Sequence, residues 1–223
     1  MSSQDYQLGY QWLTDAFDVG EEKFDRFSIY HSLLLKWQPV QNLVSRETLS
    51  SFWTRHICDS AALMQMSGPN GIWLDMGSGA GFPGLVIAIL QKQLSDDPSA
   101  KVHLVESNMR KVSFLRTVIR ETGINAEVHA CRAEEFVGKS DFQPDFISAR
   151  AFTALHHLLS LSETYVSKGA VCFFHKGRDI NGEIAEAANK FDFDLIKHKQ
   201  TLPLNHLEDG VIAEVRAITR KTQ

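Results

Sequence analysis

The segment Asp75-Met76-Gly77-Ser78-Gly79-Ala80-Gly81 constrains the fold of this chain more than any other. It ends a short apolar run, residues 71–75, whose length and flanks read as a strand. Gly77, Gly79 and Gly81 then alternate, and glycine tolerates positive φ and lets backbone approach a bound molecule closely. A helix is expected over 83–92, with Pro83 suited to its first turn and its N-terminal amides aimed back at the glycines. A purely structural turn needs fewer glycines than these three and Gly84. Strand, glycine turn and helix in this order predict an α/β domain with a ligand seated at the turn.

The segments beyond extend that pattern. Further strands are expected at 102–106, 126–131, 146–149, 170–175, 193–199 and 211–218, with helices at 107–122, 153–165 and 179–190. In the first of these helices Ser107 reads as the N-cap, Val112, Leu115, Val118 and Ile119 share one face, and Gly123 is the stop. Such alternation implies a Rossmann-like, mostly parallel seven-stranded sheet with helices on both faces. Ligands of these sheets bind beyond the carboxyl ends of the strands.

The first 65 residues read differently. Phe27, Tyr30, Leu34 and Trp37 recur at helical spacing, with Pro39 expected to close that helix. A second helix is expected over 47–66, with Leu49, Phe52, Trp53, His56, Ile57 and Leu63 on one face. Ser67-Gly68-Pro69-Asn70-Gly71 is a loop cluster and the expected junction. Residues 1–67 therefore read as a helical extension packed on a core domain of 68–223.

Two cofactors fit the turn. Gly79-Ala80-Gly81-Phe82-Pro83-Gly84 matches the dinucleotide fingerprint, and Glu106 follows at about the right distance to hold a ribose. Asp75, placed just before the glycines, and the helical segment ahead of the strand favour S-adenosylmethionine instead. The residues after each strand strengthen that reading. Glu106 can accept from both ribose hydroxyls of an adenosine, and Arg132-Ala133-Glu134-Glu135 stand where its adenine would lie. Arg150 can meet a methionine carboxylate or the substrate, or it can simply pair with Asp145 or Glu134.

Composition limits the remaining roles. The formal charge of -4 means that any nucleic-acid contact rests on a local basic face. Lys36, Arg46 and Arg55 form one candidate face, and Arg110, Lys111, Arg116 and Arg120 another. Lys176 and Arg178, after the fifth strand, are the preferred substrate contacts; Phe82 and Phe152 are candidate stacking platforms. Cys58, Cys131 and Cys172 sit far apart among apolar neighbours and read as reduced, buried thiols. His156 and His157 are adjacent and face different directions on a helix, so no metal site is expected. His56 reads as a satisfied core histidine, and Arg55 and Asp59 as a helical ion pair. Met1-Ser2-Ser3-Gln4-Asp5 lacks the basic and apolar stretches of a secretory signal, and the longest apolar run, residues 85–90, is too short to span a bilayer. A cytosolic monomer is expected.

Together these motifs resemble one family, the bacterial 16S rRNA 7-methylguanosine methyltransferases, also called glucose-inhibited division protein B. The resemblance is carried by Trp37-x4-Asn42-Leu43, Arg55-His56-x2-Asp59-Ser60, Leu74 to Gly84, Val105-Glu106-Ser107, Arg132-Ala133-Glu134-Glu135, Ser148-Ala149-Arg150-Ala151 and His175-Lys176-Gly177. It implies cofactor contacts at Gly77, Phe82, Ala133, Glu134 and Arg150. It also implies methyl transfer from S-adenosylmethionine to N7 of guanine 527 in 16S rRNA or the small ribosomal subunit. Met76 and His175 replace the family's usual valine and leucine and read as packing changes. N7 carries a free lone pair, so alignment suffices and no general base is expected. The residues alone leave open a methyltransferase of small molecules or proteins, or an NAD-binding oxidoreductase.

Overall fold

In the computed structural model, which describes residues 3–137, 142–199 and 210–222, seven strands form one sheet. They are β1 (Ile72–Met76), β2 (Lys101–Val105), β3 (Ala126–His129), β4 (Phe146–Arg150), β5 (Val171–Lys176), β6 (Phe191–Lys199) and β7 (Val211–Arg220), in the order β3-β2-β1-β4-β5-β7-β6. The first five run parallel; β7 enters antiparallel between β5 and β6. That insertion, absent from the order expected of dinucleotide domains, was not readable from the strand patterns. Because β1 lies between β2 and β4, the winding reverses there, and a crevice opens beyond the carboxyl ends of β1 and β4. Met1 and Ser2, at the start of the segment read as lacking a secretory signal, lie outside the described residues.

The two-residue period of the strands sorts side chains between two cores. Trp73, Val102, Leu104 and Phe173 face one side, with α4 (Gly84–Leu94) and α5 (Met109–Thr122). Their neighbours Leu74, Val105 and Phe174 face the other, with α7 (Leu155–Val166) and α8 (Ile180–Ala188). A short helix, α6 (Ala133–Val137), where no element was expected from the sequence, covers the same side. Gly123, at φ 64, ends α5 as anticipated, but Asn108 rather than Ser107 caps its start. The Asn108 side chain accepts from the amides of Arg110 and Lys111, which releases Ser107 to the crevice.

The extension joins the first core instead of standing apart. It comprises α1 (Ser3–Phe17), α2 (Glu21–Gln41), a 3-10 segment Arg46–Ser51, a π-helical segment Phe52–Cys58 and α3 (Asp59–Ser67). The expected single helix over 47–66 is thus one continuous coil of changing pitch. Pro39 does not close α2; the helix runs on to Gln41, and Asn42 at φ 45 ends it. Leu35, whose carbonyl Pro39 leaves without an amide, is exposed, so water can solvate it. Buried Asp5 accepts from the amides of Trp53 at 2.9 Å and Thr54 at 3.2 Å, pinning α1 to the π segment. Tyr30 of α2 donates its hydroxyl to Ala80 O at 2.6 Å, so the extension holds the glycine turn directly.

Asp75 braces that turn from beneath and does not line the crevice. It is fully buried and accepts from the Ser148 hydroxyl at 2.8 Å and the Gly84 amide at 3.3 Å. Burial pushes its carboxyl up to about 6, against the lowering effect of those hydrogen bonds. A folded-state value above the ordinary 3.8 stabilises the fold at low pH, and that contribution is lost as pH rises from 3.8 to about 6. Asp75→Asn removes the titration. Denaturant unfolding at several pH values should therefore show wild type losing stability relative to the variant across that window; a pH-independent difference refutes the assignment. Gly84 packs so closely that an added Cβ would lie 2.3 Å from Leu104 and 2.7 Å from Asp75 Oδ2. Gly84→Ala should cost about 1–3 kcal/mol in the same measurement.

Candidate active site

A cleft of about 630 Å³ opens at the reversal point, within the range usual for small-molecule and cofactor sites. The glycine turn forms its floor. Glu106, Ala133 and Glu134 line one end; Arg150, Phe152 and, from the extension, His56 line the other. Of the residues singled out from the sequence, Gly77, Gly79, Phe82, Glu106, Ala133, Glu134 and Arg150 all meet here. Cys131 lines it too and is only half-buried, unlike the fully buried Cys58 and Cys172.

Glu106 organises the first end. One carboxylate oxygen accepts from the Gly79 amide at 2.9 Å and the other from the Asn108 amide at 2.7 Å. These bonds fix its orientation and still leave acceptor capacity, since a carboxylate offers about four lone-pair sites. Gly77, at φ 70, has Phe152 pressed on it so tightly that an added Cβ would lie 2.2 Å from the ring. Ala151, at the unusual φ of 50, bends the chain after β4 and brings that ring over the turn. Phe152 is nevertheless exposed, so it serves the cleft rather than the core.

Arg150 pairs with neither Asp145 nor Glu134. Its Nη2 donates to Asp59 Oδ2 at 3.1 Å and to the Arg55 carbonyl at 3.0 Å. Asp145 instead accepts from the Ile72 amide at 2.7 Å, and Glu134 lies 3.1 Å from His157 Nε2. The expected Arg55–Asp59 pair fails for a geometric reason: Arg55 lies within the π-helical segment and Asp59 just after it, and at that pitch residues four apart no longer share a face. His175 is also more than packing. Its Nε2 donates to the Asp59 carbonyl at 3.0 Å, and burial lowers its pKa.

His56 is not a satisfied core histidine. It is 7% exposed, stacks on Phe82 at 4.7 Å, and neither ring nitrogen has a hydrogen-bond partner among the described residues. Burial, reinforced by the Arg150 charge, lowers its pKa to about 3, so the ring is neutral. Lys176 does not reach the cleft: its Nζ donates to Glu183 and to the Thr153 carbonyl at 3.0 Å, beside a smaller adjoining cavity. Arg178 is exposed outside the cleft lining. Of the two basic faces, only Arg55 and Lys111 line the cleft, joined by Arg132. The His56–Phe82 stack and the Asp59–Arg150 pair had no local signal, because each joins segments far apart in the chain.

The donor set suits a nucleoside bearing an anionic tail. A fixed carboxylate waits at one end, and at the other the Nη1 of Arg150 is buried without a partner among the described residues. A family profile described as rRNA small subunit methyltransferase G matches residues 23–209. The Ribosomal RNA small subunit methyltransferase G of Sinorhizobium medicae is 41% identical over 208 residues, covering 92% of this chain and 94% of that one. Its counterpart in Rhodospirillum centenum is 45% identical over 179 residues, covering 79% and 77%. Among solved structures, cofactor-bound Rv0187 from MTB has a TM-score of 0.58 at 12% identity over 86% of this chain and 89% of that one. TYW2 of M. jannaschii in complex with AdoMet has a TM-score of 0.50 at 15% identity over 76% and 78%. The two structural likenesses establish the fold, and the sequence matches set aside the oxidoreductase alternative. The chain belongs to the rRNA small subunit methyltransferase G family and is an S-adenosylmethionine-dependent rRNA methyltransferase.

Proposed function

We propose that the cleft directs methyl transfer to N7 of a guanine in 16S rRNA, position 527 by the family resemblance. One observation supports this target above others: the cleft keeps its inner groups from adding net positive charge. Asp59 offsets Arg150, and burial holds His56 neutral. Bound S-adenosylmethionine supplies an electrophilic methyl group on a sulfonium. Positive charge then builds on the purine, and a free cation beside it would oppose the transfer. Alignment does the remaining work, so no side chain has to take a proton from N7.

In this reading Glu106 accepts from the ribose hydroxyls, and the start of α6, Ala133 and Glu134, meets the adenine. Gly77, Gly79 and Phe82 shape the floor, and Arg150 holds the carboxylate tail. Phe152 offers its exposed ring to the base, while Arg55, Lys111, Arg132 and the outlying Arg178 meet phosphates. Lys176, tied to Glu183, positions the loop that carries Arg178. Residues 1–67 act as an extension that completes the site of the domain formed by 68–223. The reaction needs no metal. His103, Glu127 and His129 do bring ligand atoms within 4.8 Å of one another. Their bonds are made internally, His103 to His129 at 2.9 Å and Glu127 to Lys101 at 2.6 Å. Among the described residues no helix is long and apolar enough to cross a membrane. We place the enzyme in the cytosol as a monomer, acting on small-subunit particles. An acidic chain gains little from naked RNA alone, so shape and neighbouring protein should contribute to recognition.

Purified protein, labelled cofactor and small subunits from cells lacking the enzyme should give one new 7-methylguanosine, located by chemical cleavage. Methylation elsewhere, or none, refutes the target. Naked 16S rRNA in parallel should be the poorer substrate. Gly77→Ala, which forces a side chain into Phe152 at positive φ, should weaken S-adenosylhomocysteine binding by about tenfold or more in calorimetry.

A further inference from the structure

Two buried donors on one wall of the cleft are left over. Arg150 spends its Nη2 on Asp59 and the Arg55 carbonyl, while its Nη1 has no partner among the described residues. His56 lines the same cleft as Arg150, whose charge helps to keep its ring neutral. Both ring nitrogens of His56 are unpartnered, although the residue is more than nine-tenths buried. A buried donor without a partner is costly to fold around, so two at one place mark a surface that a ligand completes. The ring is also held in place: it stacks on Phe82 at 4.7 Å and meets Phe52 edge-on at 6.5 Å. A ring clamped in this way loses little freedom when it binds.

The chemistry of the pair selects its ligand. A neutral imidazole has one N–H to give, and a guanidinium Nη1 adds charge-assisted donors. The guanidinium favours an oxygen acceptor that carries negative charge, and the imidazole N–H can share that acceptor. Glu106 occupies the opposite end of the same cleft, where it suits ribose hydroxyls, so the His56 end faces the amino-acid tail of the cofactor. We propose that His56 and the Nη1 of Arg150 together grip the methionine carboxylate of S-adenosylmethionine. His56 is then a cofactor-binding residue contributed by the helical extension, and the α/β domain alone has an incomplete site. The inference rests on the cofactor reading above and adds which part of the cofactor each group holds.

Calorimetry on the full chain with two ligands tests it: S-adenosylhomocysteine, and its decarboxylated analogue, which lacks only the carboxylate. His56→Ala should weaken S-adenosylhomocysteine roughly 10- to 100-fold while changing the analogue by no more than about twofold. His56→Gln, which keeps a donor, should recover much of the loss. An equal loss for both ligands overturns the proposal in favour of a packing role. Unchanged S-adenosylhomocysteine binding with lost rRNA methylation overturns it in favour of contact with the base. If His56→Ala does not fold, His56→Phe, which keeps a ring against Phe82 but has no donor, carries the same comparison. Wild-type protein that binds neither ligand sinks the cofactor reading itself. Wild-type protein that binds both equally sinks only the carboxylate grip.

Discussion

The buried pair between Asp59 and Arg150 joins the two parts of the molecule at the place where its chemistry happens. Asp59 opens α3 in the extension, and Arg150 ends β4 at the reversal point of the sheet. The Asp59 side chain is 4% exposed and that of Arg150 16%. Such a pair contributes little net stability compared with an apolar replacement, because both charges lose their water. Removing one partner costs far more, since the other is left charged and buried. The pair therefore works best as a device of register: it fixes where the extension sits against the carboxyl ends of β4 and β5. His175, donating to the Asp59 carbonyl, repeats that fix from β5.

The π-helical segment is what allows the fit. Its wider turn carries buried Phe52, Trp53 and His56 inward while leaving Arg55 half-exposed at the cleft. An ordinary helix over the same residues would keep Arg55 and Asp59 on one face and let them pair with each other. With the pitch changed, Asp59 turns to Arg150 instead, and the Arg55 carbonyl becomes the second acceptor of the Arg150 guanidinium. Irregular helical pitch is costly in hydrogen-bond geometry and recurs at functional sites. Here Asp5, capping the segment through the amides of Trp53 and Thr54, helps offset that cost.

Features that depend on local periodicity were legible in the chain. The alternation of Trp73 with Leu74 and of Phe173 with Phe174 prescribes strands covered on both faces, and Glu106 at a strand end prescribes a carboxylate over the crevice. What escaped depended on distance or on competition between neighbours. Asn108 outcompetes Ser107 as a cap because its side chain reaches two amides of the first turn. Pro39 stays inside α2 at a place where Leu35, the residue whose carbonyl it leaves without an amide, is exposed. The antiparallel entry of β7 is set by a pairing with β5 some forty residues away, where alternation is the same for either direction. Lys176 looked like a substrate contact from its place after a strand, yet Glu183, one helix later, had already claimed its charge.

The distribution of charge explains how an acidic chain can serve an RNA substrate. On the extension side of the cleft Arg150 is offset by Asp59 and His56 is kept neutral by burial, and beside the cleft Lys176 is offset by Glu183. In the proposed reading Arg55, Lys111 and Arg132, which also line the cleft, meet the phosphates. A uniformly basic protein would bind rRNA more tightly and less selectively, because phosphate neutralisation carries no sequence information. Restricting positive charge to the rim separates the two tasks. The rim can hold the backbone, while the interior remains suited to a nucleobase that becomes cationic as it reacts.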